Sequence, residues 1–554
     1  MIQRVWEALS ARIGSMHQAA YILALSALLS ALLAFLRDRM LAHTFGAGPQ
    51  LDMYYAAFKV PDLLYISLAS LFSAYVLIPA LADRESAEQV RLIDGLIAWF
   101  SLAIVIVGTL LAFLSPVIMP MLFPQLVGSA GGVSLAMLTS ILLLQPIFLG
   151  LSNISASVTQ YSGRYGIVAL APLVYNAGII GGIIILLPLY GLPGVVFGAV
   201  IGALFHFGIQ VPGLWRGGYG RFRSGLVAFS EVLSVVRISL PRTATLALSH
   251  VVLFVLTVFA GKLATGSIAV FTFAFNLQAV PLAIIGASYS VAAFPTLARL
   301  YAQNEHVRFL VQVISAARHI IFWALPAIAL TIILRAHIVR VILGSGAFDW
   351  SDTRLTAAAL AIFIVTLAAQ AMTLLLVRAY YAAGKTYVPL VVSAIAALAT
   401  VLLGVVAVST HVGVGGRTFL EILFRVSDVP GSEVLVLPGA FAIGTLTGTV
   451  VLMGLFNRYF PGFLGALGRV TWEAASAAGV AGAIAYYVLA LLGGIGSATT
   501  LVTVFFHGTL AGVAGLIAAG LVYYILGNKE LGEILTFAHQ RVREMPIAST
   551  EETL

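Results

Sequence analysis

The chain has 554 residues, 61% of them hydrophobic and only 9% Asp, Glu, Lys or Arg, with a formal net charge of +8. Its mean hydropathy of +1.06 excludes a soluble globule, for which roughly 45–50% apolar content is usual, and with it nucleic acid as the partner of the positive charge; basic loops against anionic lipid heads account for that charge instead. The absence of cysteine excludes disulfides, thiolate metal ligands and cysteine catalysis.

In chain order, residues 1–16 (MIQRVWEALSARIGSM) place Ile2, Val5, Trp6, Leu9 and Ile13 at helical spacing, with Arg4, Glu7 and Arg12 largely off that stripe. This predicts a short interfacial amphipathic helix, and no cleavable signal peptide is visible. Fourteen apolar stretches follow, at about 17–44, 60–82, 93–118, 133–160, 166–188, 192–214, 231–260, 267–297, 311–334, 355–381, 387–409, 435–457, 471–494 and 500–526. Runs of some twenty residues match the thickness of a bilayer as α-helices, and their uniform apolarity excludes an outer-membrane barrel, whose strands alternate. The fold class expected is therefore an all-α polytopic membrane protein with about fourteen transmembrane helices. An even count puts both termini on one side. With that side inside, cytoplasmic loops take most of the basic residues, Arg84, Arg91, Arg164, Arg216, Arg221, Arg223, Lys385 and Arg458 among them, while the outer loops at 119–132, 189–191 and 495–499 hold none. The bias places both termini in the cytoplasm.

A weak internal repeat divides the chain. IPALADR (78–84) ends the second span as FPTLARL (294–300) ends the eighth. YSGRYGIVALAP (161–172) follows the fourth span as AAGKTYVPL (382–390) follows the tenth, at nearly the same offset. This predicts two six-helix lobes, 17–230 and 231–460, then an extra pair of helices at 461–526 and a cytoplasmic tail at 527–554. Cargo sits between such repeated halves, near the midplane. The polar, Gly-rich segment 410–434 is an outer-loop insertion, in which LEILFRV either forms a surface helix on the outer leaflet or is merely tolerated.

The densest chemistry lies between the first two apolar stretches, in RDRMLAHTFGAGPQLDMYYAAFKVPD from Arg37 to Asp62. Ionisable groups at bilayer depth cost roughly 2.5–3.5 kcal/mol each and persist there facing a cavity, a partner or a cargo. Arg37 and Arg39 point about 200° apart on a helix, so lipid cannot suit both; the plain alternative is a pair snorkelling at a helix end. A guanidinium inside the hydrocarbon suits a phosphate or pyrophosphate through paired, charge-assisted hydrogen bonds. Asp38 and Asp52 complete a charge network, Asp52 either titrating as a cavity opens or partnering an arginine. Lys59 is a further candidate cation. Gly46, Gly48 and Pro61 are candidate hinges, with Pro61 starting or kinking the second helix and Asp62 in its first turn. In the second half Arg242, after Pro241, is the clearest buried cation. Asn276 and Gln278 precede a fourth candidate hinge, Pro281; amides there suit a sugar or a phosphate, or bridge two helices, the bridge being the role that fits Gln278. His206 and His250 read as satisfied core groups. No Walker loop, zinc-protease or serine-hydrolase motif and no two-metal acidic cluster is present, so no enzyme and no cofactor is expected. A gradient, a coupling ion or the membrane potential must supply the energy.

The run RDRMLAHTFGAGPQLDMYYAAFKVPDLL resembles the signature joining the first two helices of the MurJ/MviN family of lipid II flippases. LGSGAFDWSDT (343–353), SGRYGIVALAPLVYN (162–176), PRTATLALSH (241–250) and AVPLAIIGASYSVAAFPTLA (279–298) resemble further blocks of that family, so the similarity spans about 25–390. It implies a V-shaped pair of lobes, two further helices lining a groove for lipid tails, and outward movement of a polyprenyl-pyrophosphate-linked peptidoglycan precursor by alternating access. The implied partners are that lipid-linked glycan, membrane lipids and cell-wall synthesis proteins. Arg37, Asp38 and Asp52 match charged family positions. Where well-studied members carry further charges, this chain has Ala31, Tyr65, Ile66, Ser70 and Asn276. The alternatives are a flippase for another lipid-linked oligosaccharide and a transport-dead membrane scaffold.

Overall fold

The computed structural model describes residues 16–72, 77–78, 81, 84–128, 132–220, 229–409, 411–496 and 498–544, with some side chains inside these ranges left out. The helix expected at 1–16 lies outside the described residues apart from Met16, and the tail is described to Glu544. Among the described residues there is no strand.

The helices are α1 (Met16–Phe45), α2 (Pro49–Ala69), α3 (Ser86–Leu122), α4 (Leu135–Tyr161), α5 (Tyr165–Tyr190), α6 (Leu192–Trp215), α7 (Phe229–Ala260), α8 (Ser267–Ala302), α9 (His306–Ile342), α10 (Trp350–Ile364), α11 (Leu367–Ala382), α12 (Tyr387–Ser409), α13 (His411–Phe424), α14 (Ser432–Tyr459), α15 (Phe463–Leu492), α16 (Leu501–Ile525) and α17 (Lys529–Glu544). Among the described residues eleven helices are long and apolar enough to cross a membrane, twelve if α10 and α11, bent by 43°, form one broken span. This does not confirm the expected fourteen. The helix α2 is not among the eleven, because Asp52, Lys59 and Asp62 interrupt its apolar run.

Local chemistry sets the boundaries. Gly46 ends α1 at φ +60°, its N–H returning to the Ala42 carbonyl at 2.9 Å, as a left-handed helix terminator does. Pro49 opens α2 at the position where a missing N–H costs nothing. Pro61 is therefore not a helix start: it is buried inside α2, where it deprives the Ala57 carbonyl of its ladder partner. Pro281 precedes a π-helical turn at Leu282–Ala287, the usual mark of a ladder slipped by one residue.

The chain forms two compact units. The first comprises Met1–Ala274, Ile342–Ala359 and Leu390–Phe441, the second Phe275–Val341, Leu360–Pro389 and Ala442–Leu554. In lipid, apolar burial gives helices little reason to associate, so close packing and interhelical hydrogen bonds must do it. In the first unit α5 and α6 meet through Gly178, Gly182, Gly194, Gly198 and Gly202; a Cβ on Gly202 would lie 2.6 Å from the Tyr175 carbonyl oxygen. Around Leu92, Ile93, Leu96 and Phe100, α3 packs with Leu64, Ile154 and Val158. In the second unit the Tyr523 hydroxyl of α16 donates to the Phe322 carbonyl at 2.7 Å, and Asn528 donates to Glu473 at 2.6 Å. Arg318 pairs with Glu530 at 2.6 Å, which docks α17 against α9. Phe113, Val117 and Met121 on α3 stand outward and exposed, as lipid-facing residues do.

Candidate functional site

The first unit contains a polar cluster built on apolar helices. Arg37 of α1 donates from Nε and Nη2 to Asp38 Oδ1 at 2.9 and 2.8 Å, and from Nη1 to Asn176 Oδ1 of α5 at 3.2 Å. Asn176 is oriented in turn by donating to Ser30 at 3.2 Å and to the Pro172 carbonyl at 3.1 Å. Tyr54 and Tyr55 of α2 and Tyr175 of α5 lie within electrostatic reach of the Arg37 guanidinium. One helical turn along α2, Lys59 lies within electrostatic reach of Asp62 and of His250 of α7. Tyr65 accepts from Asn153 of α4 at 2.9 Å, and Tyr175 accepts from Gln145 at 3.0 Å. The Tyr55 hydroxyl and Gln145 Oε1 are buried without a hydrogen-bond partner among the described residues. Unmet polar groups of this kind cost free energy in the resting state and are offset only when something polar arrives.

Two cations, Arg37 and Lys59, here face two carboxylates, Asp38 and Asp62. Among the described side chains of the cluster the charges therefore balance. Asp38 occupies the fork with which Arg37 would clamp a phosphate, so an incoming anion must compete with it. An arginine held this way is kept charged and preorientated without being committed.

A second arrangement, also within the first unit, is a backbone clasp. Asp52, buried in the first turn of α2, accepts the amides of Gly266 at 2.6 Å and Ala269 at 2.8 Å, so it caps the N-terminus of α8 from another helix. Its partners are these amides rather than an arginine. Asp52, not Asp62, is the first-turn carboxylate of α2. The Ala347 amide donates to the His43 carbonyl at 2.8 Å, and the Ala47 amide to Asp352 Oδ2 at 3.1 Å. Arg39 reaches the Ile342 carbonyl at 3.3 Å. Gly46 and Gly48 lie in this turn. A Cβ on Gly46 would lie 2.6 Å from the Ala347 carbonyl oxygen, and one on Gly266 would collide with the Ala47 carbonyl; both positions also have positive φ. Backbone approaches backbone here so closely that only glycine fits.

The sequence-predicted residues thus part company. Arg37, Asp38 and Lys59 enter the cluster, with Pro61 behind them in α2. Arg39, Asp52, Gly46 and Gly48 enter the clasp. Asn276 and Pro281 belong to the second compact unit; there Gln278, as expected of a bridge, accepts from Gln370 at 3.1 Å. The side chain of Arg242 lies outside the described residues. His206 is a satisfied core group, bonded to Ser152 at 2.7 Å. Tyr54, Tyr65, Gln145, Asn153 and Tyr175 were missed by the sequence reading; their only signal was polarity within apolar spans.

With that geometry in place, comparisons with known proteins are informative. The family model described as "Lipid II flippase MurJ" matches residues 41–416, about two thirds of the chain. The probable lipid II flippase MurJ of Bdellovibrio bacteriovorus is 27% identical over 458 residues, covering 80% of this chain and 83% of that protein. The one from Thermotoga maritima is also 27% identical, covering 77% and 92%. Among solved structures, lipid II flippase MurJ in an inward closed conformation superposes with a TM-score of 0.70 at 21% identity, covering 91% of this chain and 99% of that one. An inward-facing multidrug resistance MATE transporter of the MOP superfamily gives 0.61 at 16% identity, covering 80% and 94%. The chain is a multi-pass α-helical membrane protein, and it belongs to the lipid II flippase MurJ family.

Proposed function

We propose that this chain is an inner-membrane flippase that carries a polyprenyl-pyrophosphate-linked peptidoglycan precursor to the outer leaflet by alternating access. The observation that carries the reading is Arg37: a guanidinium within a helix bundle, paired with Asp38 and Asn176 and available to a pyrophosphate by exchange. Both termini face the cytoplasm, the lobes at 17–230 and 231–460 rock about the site, and 461–526 lines the lipid-tail groove. Lys59 and Arg242 add positive charge, and Asn276 touches the head group. The clasp closes the outer side, with Asp52 and Arg39 as its fastenings. No bond is made or broken in the cargo, so the protein is a transporter and not an enzyme. A gradient or the membrane potential drives it; one net charge moving across 100 mV supplies roughly 2.3 kcal/mol. Cell-wall synthesis proteins are its natural neighbours.

The test is rescue of a bacterium depleted of its own lipid II flippase, comparing wild type with Arg37→Ala at equal membrane abundance. Rescue by the wild type and failure of the variant are expected. Rescue by both would remove Arg37 from the mechanism. Tyr65, bonded to Asn153 where family members carry an arginine, keeps a second reading in play, a flippase for another lipid-linked glycan. No rescue by a well-inserted wild type would favour it.

A further inference from the structure

The helix α13 is built inside out for a helix in water. Arg417 donates to Glu421 at 2.7 Å, and Glu421 accepts the Ser432 hydroxyl at the foot of α14. Leu420 packs over Gly439. The polar pair therefore faces protein. On the opposite side Phe419, Ile422 and Leu423 are 65%, 67% and 55% exposed, and at 100° per residue the three share one sector.

Two observations say what covers this face. The preceding helix α12 is a membrane span that presents Leu398, Leu402, Val405 and Val406 outward, and it ends at Ser409, so α13 begins at His411 where the chain leaves the bilayer. Phe419, Ile422 and Leu423 together expose on the order of a few hundred Å², short of the roughly 800 Å² that each partner contributes to a standard stable protein interface. With 14 residues, α13 is about 21 Å long, too short to cross a bilayer.

We propose that α13 docks along the headgroup–acyl boundary of the membrane, with Phe419, Ile422 and Leu423 inserted among lipid chains. The leaflet is the outer one under the orientation given above; the docking itself rests only on the membrane-spanning assignment. Its seat bears on the clasp. Arg354 of α10 grips Asp428 through both amino groups, at 2.6 and 2.7 Å, and also holds the Arg425 carbonyl. Asp352, two residues away, holds the Ala47 amide. A helix seated in lipid is thereby tied to the turn that fastens α1 to α2.

The chain has no cysteine, so single cysteines at Phe419, Ile422 and Leu423, and at exposed Ser427 as the aqueous control, can each carry a nitroxide in full-length protein in phosphatidylethanolamine–phosphatidylglycerol liposomes. Collision with oxygen is expected to exceed collision with a water-soluble nickel chelate several-fold at the three helix positions, and the order to reverse at Ser427. Chelate-dominated collision at the helix positions would overturn the proposal by showing a face in water. Protection from both reagents would overturn it by showing a protein cover. Three independent exposed positions, each accepted only from monodisperse protein, keep one misfolded variant from deciding the matter. Failed lipid II rescue with the depth pattern intact would remove the cargo and spare this site; aqueous α13 in a rescuing protein would do the reverse.

Discussion

Substituting Asp52 by Asn removes half of the clasp's main fastening while leaving its size unchanged. The carboxylate accepts two amides of α8, at 2.6 and 2.8 Å, and is only 3% exposed. Hydrogen bonds to a charged group contribute about 1.5–3 kcal/mol each. An Asn side chain retains one acceptor oxygen and turns its NH2 toward the second amide, donor against donor. The loss should be about 2 kcal/mol, or roughly a thirtyfold shift toward the opened clasp at 1.4 kcal/mol per decade. Ser267, buried in the first turn of α8, reports that opening when it is replaced by cysteine in the otherwise cysteine-free chain. Labelling by a membrane-impermeant maleimide should be slow while Asp52 is intact and about tenfold or more faster once Asp52→Asn is added. A cysteine at Thr257, fully buried in α7, should stay unreactive in both backgrounds, which separates opening of the clasp from unfolding. Labelling at Ser267→Cys within twofold of the parent in the Asp52→Asn variant would refute the assignment of the carboxylate as a fastening.

Tyr55→Phe deletes a hydroxyl that is buried without a partner among the described residues, so thermal stability should stay equal or rise slightly; transport lost from a protein no less stable would place that hydroxyl against cargo, and a fall in melting temperature would show a missed partner. Gly202→Ala forces a methyl to within 2.6 Å of the Tyr175 carbonyl oxygen and should cost about 1–3 kcal/mol, lowering the melting temperature. Because Tyr175 and Asn176 move with that segment of α5, transport should fall as well, and a full-activity variant of unchanged stability would contradict the packing. The hydrogen bond from Arg354 holds Asp428 below its ordinary value. A carboxylate with a depressed folded-state pKa stabilises above the unfolded value and loses that contribution as pH falls, so the tether should hold at neutral pH and loosen below about pH 4. Anisotropy of a fluorophore at Ser427→Cys should fall there, and in Arg354→Ala it should be low throughout; a flat, high profile in the variant would rule the tether out.

The spans were largely legible because a bilayer demands long apolar runs and leaves them as an unmistakable pattern. The pattern failed at α2. Its charges at Asp52, Lys59 and Asp62 interrupt the apolar run, and with two prolines available the start was placed at Pro61 instead of Pro49. The direction of Arg37 against Arg39 followed from helical geometry: one side chain reaches Asn176, the other the Ile342 carbonyl. What each would meet did not follow. Asp52 caps amides of a helix more than two hundred residues away, and a backbone amide has no mark in the sequence. Gln145 with Tyr175 and Asn153 with Tyr65 are likewise pairs made only by packing.

The balance of the cluster bears on how cargo is released. If Arg37 stood alone inside the bundle, a pyrophosphate would bind it tightly, and leaving would expose a bare guanidinium at a cost of several kcal/mol. With Asp38 at 2.8 Å, an anion that took its place under the role proposed for Arg37 would on leaving return the guanidinium to a carboxylate already in place, so the states before and after would differ by one exchange of partners. A carrier needs weak, reversible binding more than affinity, and fewer arginines with a built-in competitor are one way to reach it. The chain's departures from the resembled family's cation positions at Ala31, Tyr65, Ile66 and Asn276 would then be compatible with transport of the same pyrophosphate. The restoring partner is testable in the same rescue assay: Asp38→Asn should bind cargo more tightly yet turn over more slowly, which a purely structural carboxylate would not do.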